Sequence, residues 1–156
     1  MSRHDLIRKN KSLSVATLMW FLCCVFAEPT FSDETGEGRL APCPASPNCI
    51  STVSNDPDKY MDPLPCADTS VKSSQIILSI ITFMPRSKVV KETGIYIHAE
   101  FRSLIFRFVD DVEFLFDEEE KLIHFRSASR TGYSDFGVNR RRMQNISKRY
   151  LESIQK

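Results

Sequence analysis

The chain has 156 residues, of which 42% are hydrophobic and 26% are charged, with a formal net charge of +1. This length is sufficient for one domain with its own hydrophobic core. The near-neutral charge argues against a general binder of polyanions, and we expect no nucleic-acid partner.

Residues 1–27 have the pattern of an export signal. A basic N-terminus precedes an apolar run from Leu13 to Ala27, and the run ends in small residues that suit a signal peptidase. The run is shorter than the roughly 20 apolar residues of a spanning helix. We expect cleavage after Ala27 and an exported, periplasmic protein. An uncleaved membrane anchor is one alternative, and lipid attachment at Cys23 or Cys24 is another.

Removal of residues 1–27 would leave 17 basic and 19 acidic residues. The remaining charge is unevenly distributed along the chain, because acidic residues are concentrated in one short stretch and basic residues follow it. We expect membrane contact only through the N-terminal segment, and an anionic small molecule or envelope component as the partner. The acidic stretch contains Asp110, Asp111, Glu113, Asp117, Glu118, Glu119 and Glu120.

Two segments precede the predicted core. Residues 28–41 lack an apolar period and are predicted to be a flexible lead-in. Residues 42–67 are rich in proline and form a predicted arm that packing, rather than secondary structure, holds in place. Cys43 and Cys49 flank a loop in this arm and are the expected disulfide, which leaves Cys66 as a thiol. Residues 42–156 would together form one domain.

The core, residues 68–156, is predicted to be an α+β two-layer sandwich with the order α-β-β-β-β-α. A helix is predicted to begin near Asp68, Thr69 or Ser70 and to end before Pro85, because isoleucines recur at helical spacing between them. A strand is the alternative, since many of these residues are β-branched. Four antiparallel strands follow. They lie at residues 88–92, at 95–102, around the residues Phe106, Phe108, Val112, Phe114 and Phe116, and at 121–129.

A second helix is predicted for residues 138–154, with an apolar stripe of Met143, Ile146, Tyr150 and Ile154. Ser134 or Asp135 is expected to cap it. The turn between the last two strands is predicted to pair Asp117 with Glu120. That register would place Glu113 opposite His124 and Asp111 opposite Arg126, and would pair Phe114 with Ile123 and Val112 with Phe125 on the core face.

The most informative segment runs from Arg126 to Met143 and contains five arginines. A helix start disfavours cations, and a bound phosphate, sulfate or carboxylate would reverse that penalty. An internal network with Asp110 and Asp111 is the alternative explanation. The candidate ligand-binding residues are Arg126, Ser127, Ser129, Arg130, Asn139, Arg140 and Arg141.

Two further functions remain open. A hydrolase or transferase acting on an anionic envelope substrate would use Asp111, Glu113 and His124 as acid–base groups. A purely structural role would make the arginine segment an internal clamp between arm, sheet and helix. The sequence has no metal-ligand spacing, no glycine-rich phosphate loop and no nucleophile elbow, so we predict no metal and no cofactor.

Two long motifs resemble an uncharacterised family, domain of unknown function 1499. Its opening motif is similar to Pro42-Cys-Pro-Ala-Ser-Pro-Asn-Cys49 followed by Ile50-Ser51, and its closing motif to Phe106–Phe114 and then Arg126–Met143. The resemblance implies family membership without a known reaction. It also suggests that the Cys43–Cys49 loop lies beside the arginine segment. Matching motif positions include Asn48, Asp110, Asp111, Glu113, Gly132, Ser134, Asp135 and Gly137.

Overall fold

The computed structural model of the protein describes residues 39–155. The predicted export signal, its cleavage site and most of the predicted lead-in lie outside the described residues. Within them, no helix is both long enough and apolar enough to cross a membrane. Leu40 was assigned to the flexible lead-in, yet it is buried, with 7% of its surface exposed.

The described part contains two helices and six strands, and its α+β class confirms the prediction. Both helices begin where their patterns indicated. Thr69 caps the first helix by accepting a hydrogen bond from the backbone N–H of Lys72. The elements are β1 (Cys49–Ser51), β2 (Leu64–Pro65), α1 (Ser70–Thr82), β3 (Ser87–Thr93), β4 (Tyr96–Arg102), β5 (Val109–Asp117), β6 (Leu122–Ser129) and α2 (Val138–Ile154).

The sheet has two strands more than the sequence predicted. Its order is β1-β6-β5-β4-β3, and β2 also pairs with β6. Both extra strands come from the proline-rich arm and pair antiparallel with β6. They were missed because strands of three and two residues are too short to show an alternating pattern. Their pairing covers the edge that β6 would otherwise expose.

Both helices pack on one face of this sheet and bury its apolar residues. Fully buried side chains from the helices include Ile77, Ile81, Met143 and Tyr150. They form one cluster with residues that alternate along β4, β5 and β6, as expected for a sheet with one buried face. The strand residues of this cluster are Ile97, Ala99, Phe101, Val112, Phe114, Phe116, Ile123 and Phe125.

The predicted register of the β5–β6 hairpin was wrong by two residues. Glu113 lies opposite Arg126 rather than His124, and Asp111 lies opposite Ala128. The turn is longer than expected because Asp117 pairs with Leu122, and the Asp117 carboxylate accepts hydrogen bonds from two backbone N–H groups within the turn. A shift of two residues preserves the face of every side chain, so the core face was still predicted correctly.

The predicted strand around Phe106 and Phe108 was also wrong in its first half. Residues 103–108 form a loop that two hydrogen bonds between Ser103 and Phe108 close. Arg107 has a left-handed backbone with φ 55°, which ends regular strand geometry. As a result Phe106 and Phe108 are 72% and 49% exposed rather than part of the core.

Candidate functional site

The sheet divides the arginine segment between its two faces. Successive side chains of a strand point to opposite faces, so Ser127 faces the helices while Arg126 faces the other side. Ser129 and Arg130 are separated in the same way, with Ser129 contacting the helix side and Arg130 contacting β5 and β4 on the outer side. The seven candidate ligand-binding residues therefore do not converge on one point.

On the helix side, Arg142 is the centre of a buried polar network. Its guanidinium donates to the Asp110 carboxylate at 2.5 Å and to the Asn139 side-chain oxygen at 2.6 Å. It also donates to the Ser127 hydroxyl at 3.2 Å and lies 4.7 Å from the centre of the Phe101 ring. Because Asp110 and Arg142 are both largely buried, the pair neutralises two charges that would be costly alone.

Asn139 connects this network to the arm. Its side-chain N–H₂ donates to the Asn48 carbonyl at 3.0 Å and to the Ser129 hydroxyl at 3.1 Å. The Asn48 side chain in turn donates to the Gly132 carbonyl at 2.5 Å. The loop closed by the Cys43–Cys49 disulfide therefore lies beside the arginine segment, as expected. Cys66, the remaining thiol of the described residues, forms no disulfide.

On the outer side, Asp111 is the centre of a second network. The Arg130 guanidinium donates twice to its carboxylate, at 2.8 Å each, and also to Glu100 at 2.6 Å. The His98 ring nitrogen Nε2 lies 2.7 Å from the same carboxylate. Burial alone would raise the pKa of Asp111, but the hydrogen bonds from His98 and Arg130 outweigh it and lower the pKa. Asp111 is thus held ionised.

The two other candidate acid–base groups have separate partners. Glu113 is buried and accepts from the Tyr96 hydroxyl at 2.7 Å and from Arg126 at 2.8 Å. His124 contacts the Thr52 hydroxyl through Nδ1 at 3.2 Å. Ion pairing therefore occupies both carboxylates of the proposed catalytic set, and the histidine belongs to a different contact.

The start of α2 has an anion from its own chain. The Asp135 carboxylate accepts from the backbone N–H groups of Gly137 at 3.0 Å and Asn139 at 2.7 Å. Asp135 thus supplies negative charge at this helix start, where the sequence predicted either a bound anion or a network with Asp110 and Asp111. It does so from two residues before the N-cap, which is Gly137 and makes no side-chain bond.

The last two candidate arginines point in different directions. The Arg140 guanidinium donates to the carbonyls of Asp58 at 2.6 Å and Tyr60 at 3.2 Å, and so anchors the arm to α2. Arg141 is exposed and donates to the Phe136 carbonyl at 2.8 Å. Of the seven candidates, Arg141 is the one that lines a cavity with several other arginines.

That cavity, which we call the arginine cavity, lies between the end of β4, the start of α2 and the turn after α1. Its volume is about 440 Å³, within the usual range for small-ligand sites. Four arginines and one carboxylate line it, together with apolar atoms. The lining residues are Met84, Pro85, Arg86, Phe101, Arg102, Ser103, Leu104, Asp110, Val138, Arg141 and Arg142.

Three of these arginines keep most of their hydrogen-bonding capacity. A guanidinium has five N–H donors. Within residues 39–155, Arg86 donates once to the Arg102 carbonyl, Arg102 donates once to Glu100, and Arg141 donates once to Phe136. Sequence reasoning missed Arg86 and Arg102 because they are distant from the arginine segment. Their positions at the ends of strands could have identified them, because an antiparallel register brings such ends together.

Two other surface features, a cleft and a cluster of possible metal ligands, are weaker candidates for a binding site than the arginine cavity. A cleft of about 540 Å³ lies between the arm and α2, but its charged lining residues are of both signs: Asp62, Lys148 and Glu152. Asp117, Glu120 and His124 have potential metal-ligand atoms within 4.8 Å of one another at the β5–β6 turn. Such groups are common on exposed acidic turns, and we assign no metal to this one.

The family comparison agrees with these motifs. The sequence profile of the DUF1499 family, described as proteins of unknown function, matches residues 39–149. The chain belongs to this family. A search of curated proteins gives no match. The DUF1499 match includes both the arm and the arginine segment, which the structure joins through Asn48 and Asn139. The DUF1499 unit therefore consists of arm, sheet and helices together.

Proposed function

We propose that this DUF1499 protein is an exported cell-envelope protein that binds an anionic group in the arginine cavity without catalysing a reaction. A phosphate or carboxylate borne by a small molecule or by an envelope component would enter between Arg102 and Arg141. The anionic ligand is the one that the sequence predicted. Its proposed site, however, lies between the end of β4 and the start of α2 instead of along the whole arginine segment.

The excess of positive charge in a concave site carries the proposal. Four guanidinium groups share the arginine cavity with one carboxylate, and Asp110 is already paired with Arg142. Arg86, Arg102 and Arg141 are left with an uncompensated positive field, apart from the contact between Arg102 and Glu100. Such a field attracts anions, and forked guanidinium donors match the geometry of phosphate and carboxylate oxygens.

The contacts on the outer side of the sheet support the location. Arg126 and Arg130 are both engaged with carboxylates, and hydrogen bonding to Arg130 lowers the pKa of Glu100. These arginines would have to exchange an existing ion pair for a ligand. Asp111 remains ionised at neutral pH, which suits an ion pair better than a proton donor. Because ion pairs already occupy Asp111 and Glu113, the hydrolase or transferase alternative has less support than anion binding.

Calorimetric titration of the full chain with butyl phosphate tests this proposal. The variant Arg141→Gln should bind at least about tenfold more weakly, because a charge-assisted hydrogen bond contributes roughly 1.5–3 kcal/mol. Arg149→Gln removes the same charge from an exposed position on the same helix and should leave the affinity unchanged. Equal affinities for the wild type and both variants, or no binding to the wild type, would refute a site at Arg141.

A further inference from the structure

Three loops lie together at one end of the sheet, which we call the loop end. They are residues 83–86 before β3, residues 103–108 between β4 and β5, and residues 130–138, which run from the end of β6 to the first residue of α2. The strand register brings them together, because Ser87 pairs with Phe101, Arg102 with Val109, and Asp110 with Ser129. The arginine cavity opens among these loops.

The loop end concentrates the exposed apolar surface of the domain. Eight of the thirteen large hydrophobic side chains that are exposed among residues 39–155 belong to it, which is too uneven for chance scatter. Four of them are more than 75% exposed, and two more are 72% exposed. The eight are Phe83, Leu104, Ile105, Phe106, Phe108, Tyr133, Phe136 and Val138.

The backbone holds some of these side chains outward. Phe136 is 87% exposed and has a left-handed conformation with φ 52°, which is unfavourable for an aromatic residue. Phe106 and Phe108 stack on each other with ring centres 5.5 Å apart while both remain exposed. Exposing these rings to water does not stabilise the isolated domain. We therefore expect another surface to cover them.

Charge distinguishes the loop end from the opposite end of the sheet. Arg86, Arg102, Arg107 and Arg141 are exposed at the loop end. At the far end, the β5–β6 turn exposes three consecutive glutamates, at positions 118 to 120. The nine residues of β5 separate the two ends by about 30 Å at roughly 3.3 Å per residue. The exposed apolar side chains therefore lie beside exposed arginines, and the run of glutamates lies at the opposite end of β5.

We infer that the loop end docks on a bilayer that contains anionic phospholipids. The exposed aromatic and aliphatic side chains would enter the interfacial region, and the arginines would contact headgroup phosphates. The acidic turn would face away from the negative surface. The inference rests on the proposed function, because the arginine cavity would receive one of the headgroups. It extends membrane contact beyond the N-terminal segment, where the sequence had placed it.

Tryptophan quenching by brominated lipids tests this inference in the full chain. Trp20→Phe removes the native tryptophan, and Phe136→Trp then places a single reporter at the loop end. Ile95→Trp is the matched control, because Ile95 is an exposed hydrophobic residue at the other end of β4. On phosphatidylcholine vesicles with phosphatidylglycerol, the reporter at position 136 should be quenched severalfold more than the one at 95. Phosphatidylcholine alone should give much less quenching.

The control also separates this contact from attachment through the N-terminal segment, which is present in both variants. Equal quenching at positions 136 and 95 would overturn the inference, as would equal quenching on neutral and anionic vesicles. Phe106→Trp provides a second reporter and should behave like Phe136→Trp. Butyl phosphate binding measured without vesicles is independent of this result. If it persists while position 136 stays unquenched, the docking inference fails and the arginine cavity stands.

A protein partner or a second copy of the chain is the competing occupant. Either would bury position 136 without bringing it near brominated acyl chains. A spectral blue shift of the tryptophan at 136 that appears at high protein concentration without lipid would therefore also contradict membrane docking.

Discussion

At the scale of single residues, the position of each charge decides which arginines can meet a ligand. Arg142 is enclosed by Asp110, Asn139 and Ser127, and it serves the structure by neutralising a buried carboxylate. Arg141 is its neighbour in sequence but faces solvent beside the arginine cavity. One turn of helix thus contains both a structural arginine and an arginine that lines the arginine cavity.

The outer-face network makes a prediction about pH. The hydrogen bond with Asp111 is the largest effect on His98 and raises the pKa of the imidazole above its usual 6.5. The resulting stabilisation is complete below the unfolded-state pKa and is lost as the pH rises through the folded-state pKa. Unfolding in urea should therefore show His98→Gln most destabilised below about pH 6.5 and nearly equal to wild type in mild alkali.

A direct check is the NMR titration of the His98 ring in the full chain. The ring is surrounded by Asp111, Glu113 and Arg130, and the two carboxylates outweigh the guanidinium. Asp111→Asn should lower the pKa of His98, whereas Asp117→Asn, at the far end of β5, should leave it unchanged. A wild-type pKa at or below 6.5 would show that the hydrogen bond does not favour the imidazolium.

At the scale of elements, the arm is held by polar contacts to the arginine segment as well as by strand pairing. Asn139, almost fully buried at 1% exposure, joins α2 to the Asn48 carbonyl and to Ser129 in β6. The Cys43–Cys49 disulfide closes the loop that presents Asn48. This arrangement is the internal clamp that the sequence offered as an alternative. It coexists with the arginine cavity because different residues form it.

Truncation of Asn139 should loosen the arm. Asn139→Ala removes a buried donor and acceptor, and we expect the free energy of unfolding to fall by about 1–3 kcal/mol. Amide hydrogen exchange in β1 should accelerate more than exchange in β4. Asn145→Ala alters an exposed asparagine on the same helix and should change stability by less than about 0.5 kcal/mol. Equal effects of the two substitutions would remove Asn139 from the clamp.

The sequence predicted the long elements and missed the short ones for a physical reason. Apolar spacing defines a face over three or more turns, so both helices were placed within a residue or two. β1 and β2 depend on a partner strand that local sequence does not encode. The hairpin register failed because the Asp117 side chain stabilises a longer turn than expected.

The sequence indicated a cluster of arginines but not which of them line a common cavity. Strand alternation alone indicates that Ser127 and Arg126 lie on opposite faces, so the divergence of the candidate set could have been foreseen. The arrival of Arg86 and Arg102 beside Arg141 depends on the antiparallel order of four strands. That order joins residues far apart in the chain, and no local pattern contains it.

At the scale of the whole molecule, the domain has two ends of opposite character. The loop end combines arginines with exposed apolar side chains, and the β5–β6 turn is acidic. A near-neutral net charge conceals this polarity, which is why total charge said little about the partner. For an exported protein, as proposed, an anionic surface would orient the whole domain and bring the arginine cavity to it.

The most direct test of the account is an NMR map of butyl phosphate binding to the full chain. The Nε–H signals of Arg86, Arg102 and Arg141 should shift on titration, together with backbone amides of the loop end. The Nε–H signals of Arg126 and Arg130 should stay in place. Shifts confined to Arg126 and Arg130, or to the β5–β6 turn, would contradict the arginine cavity as the anion site.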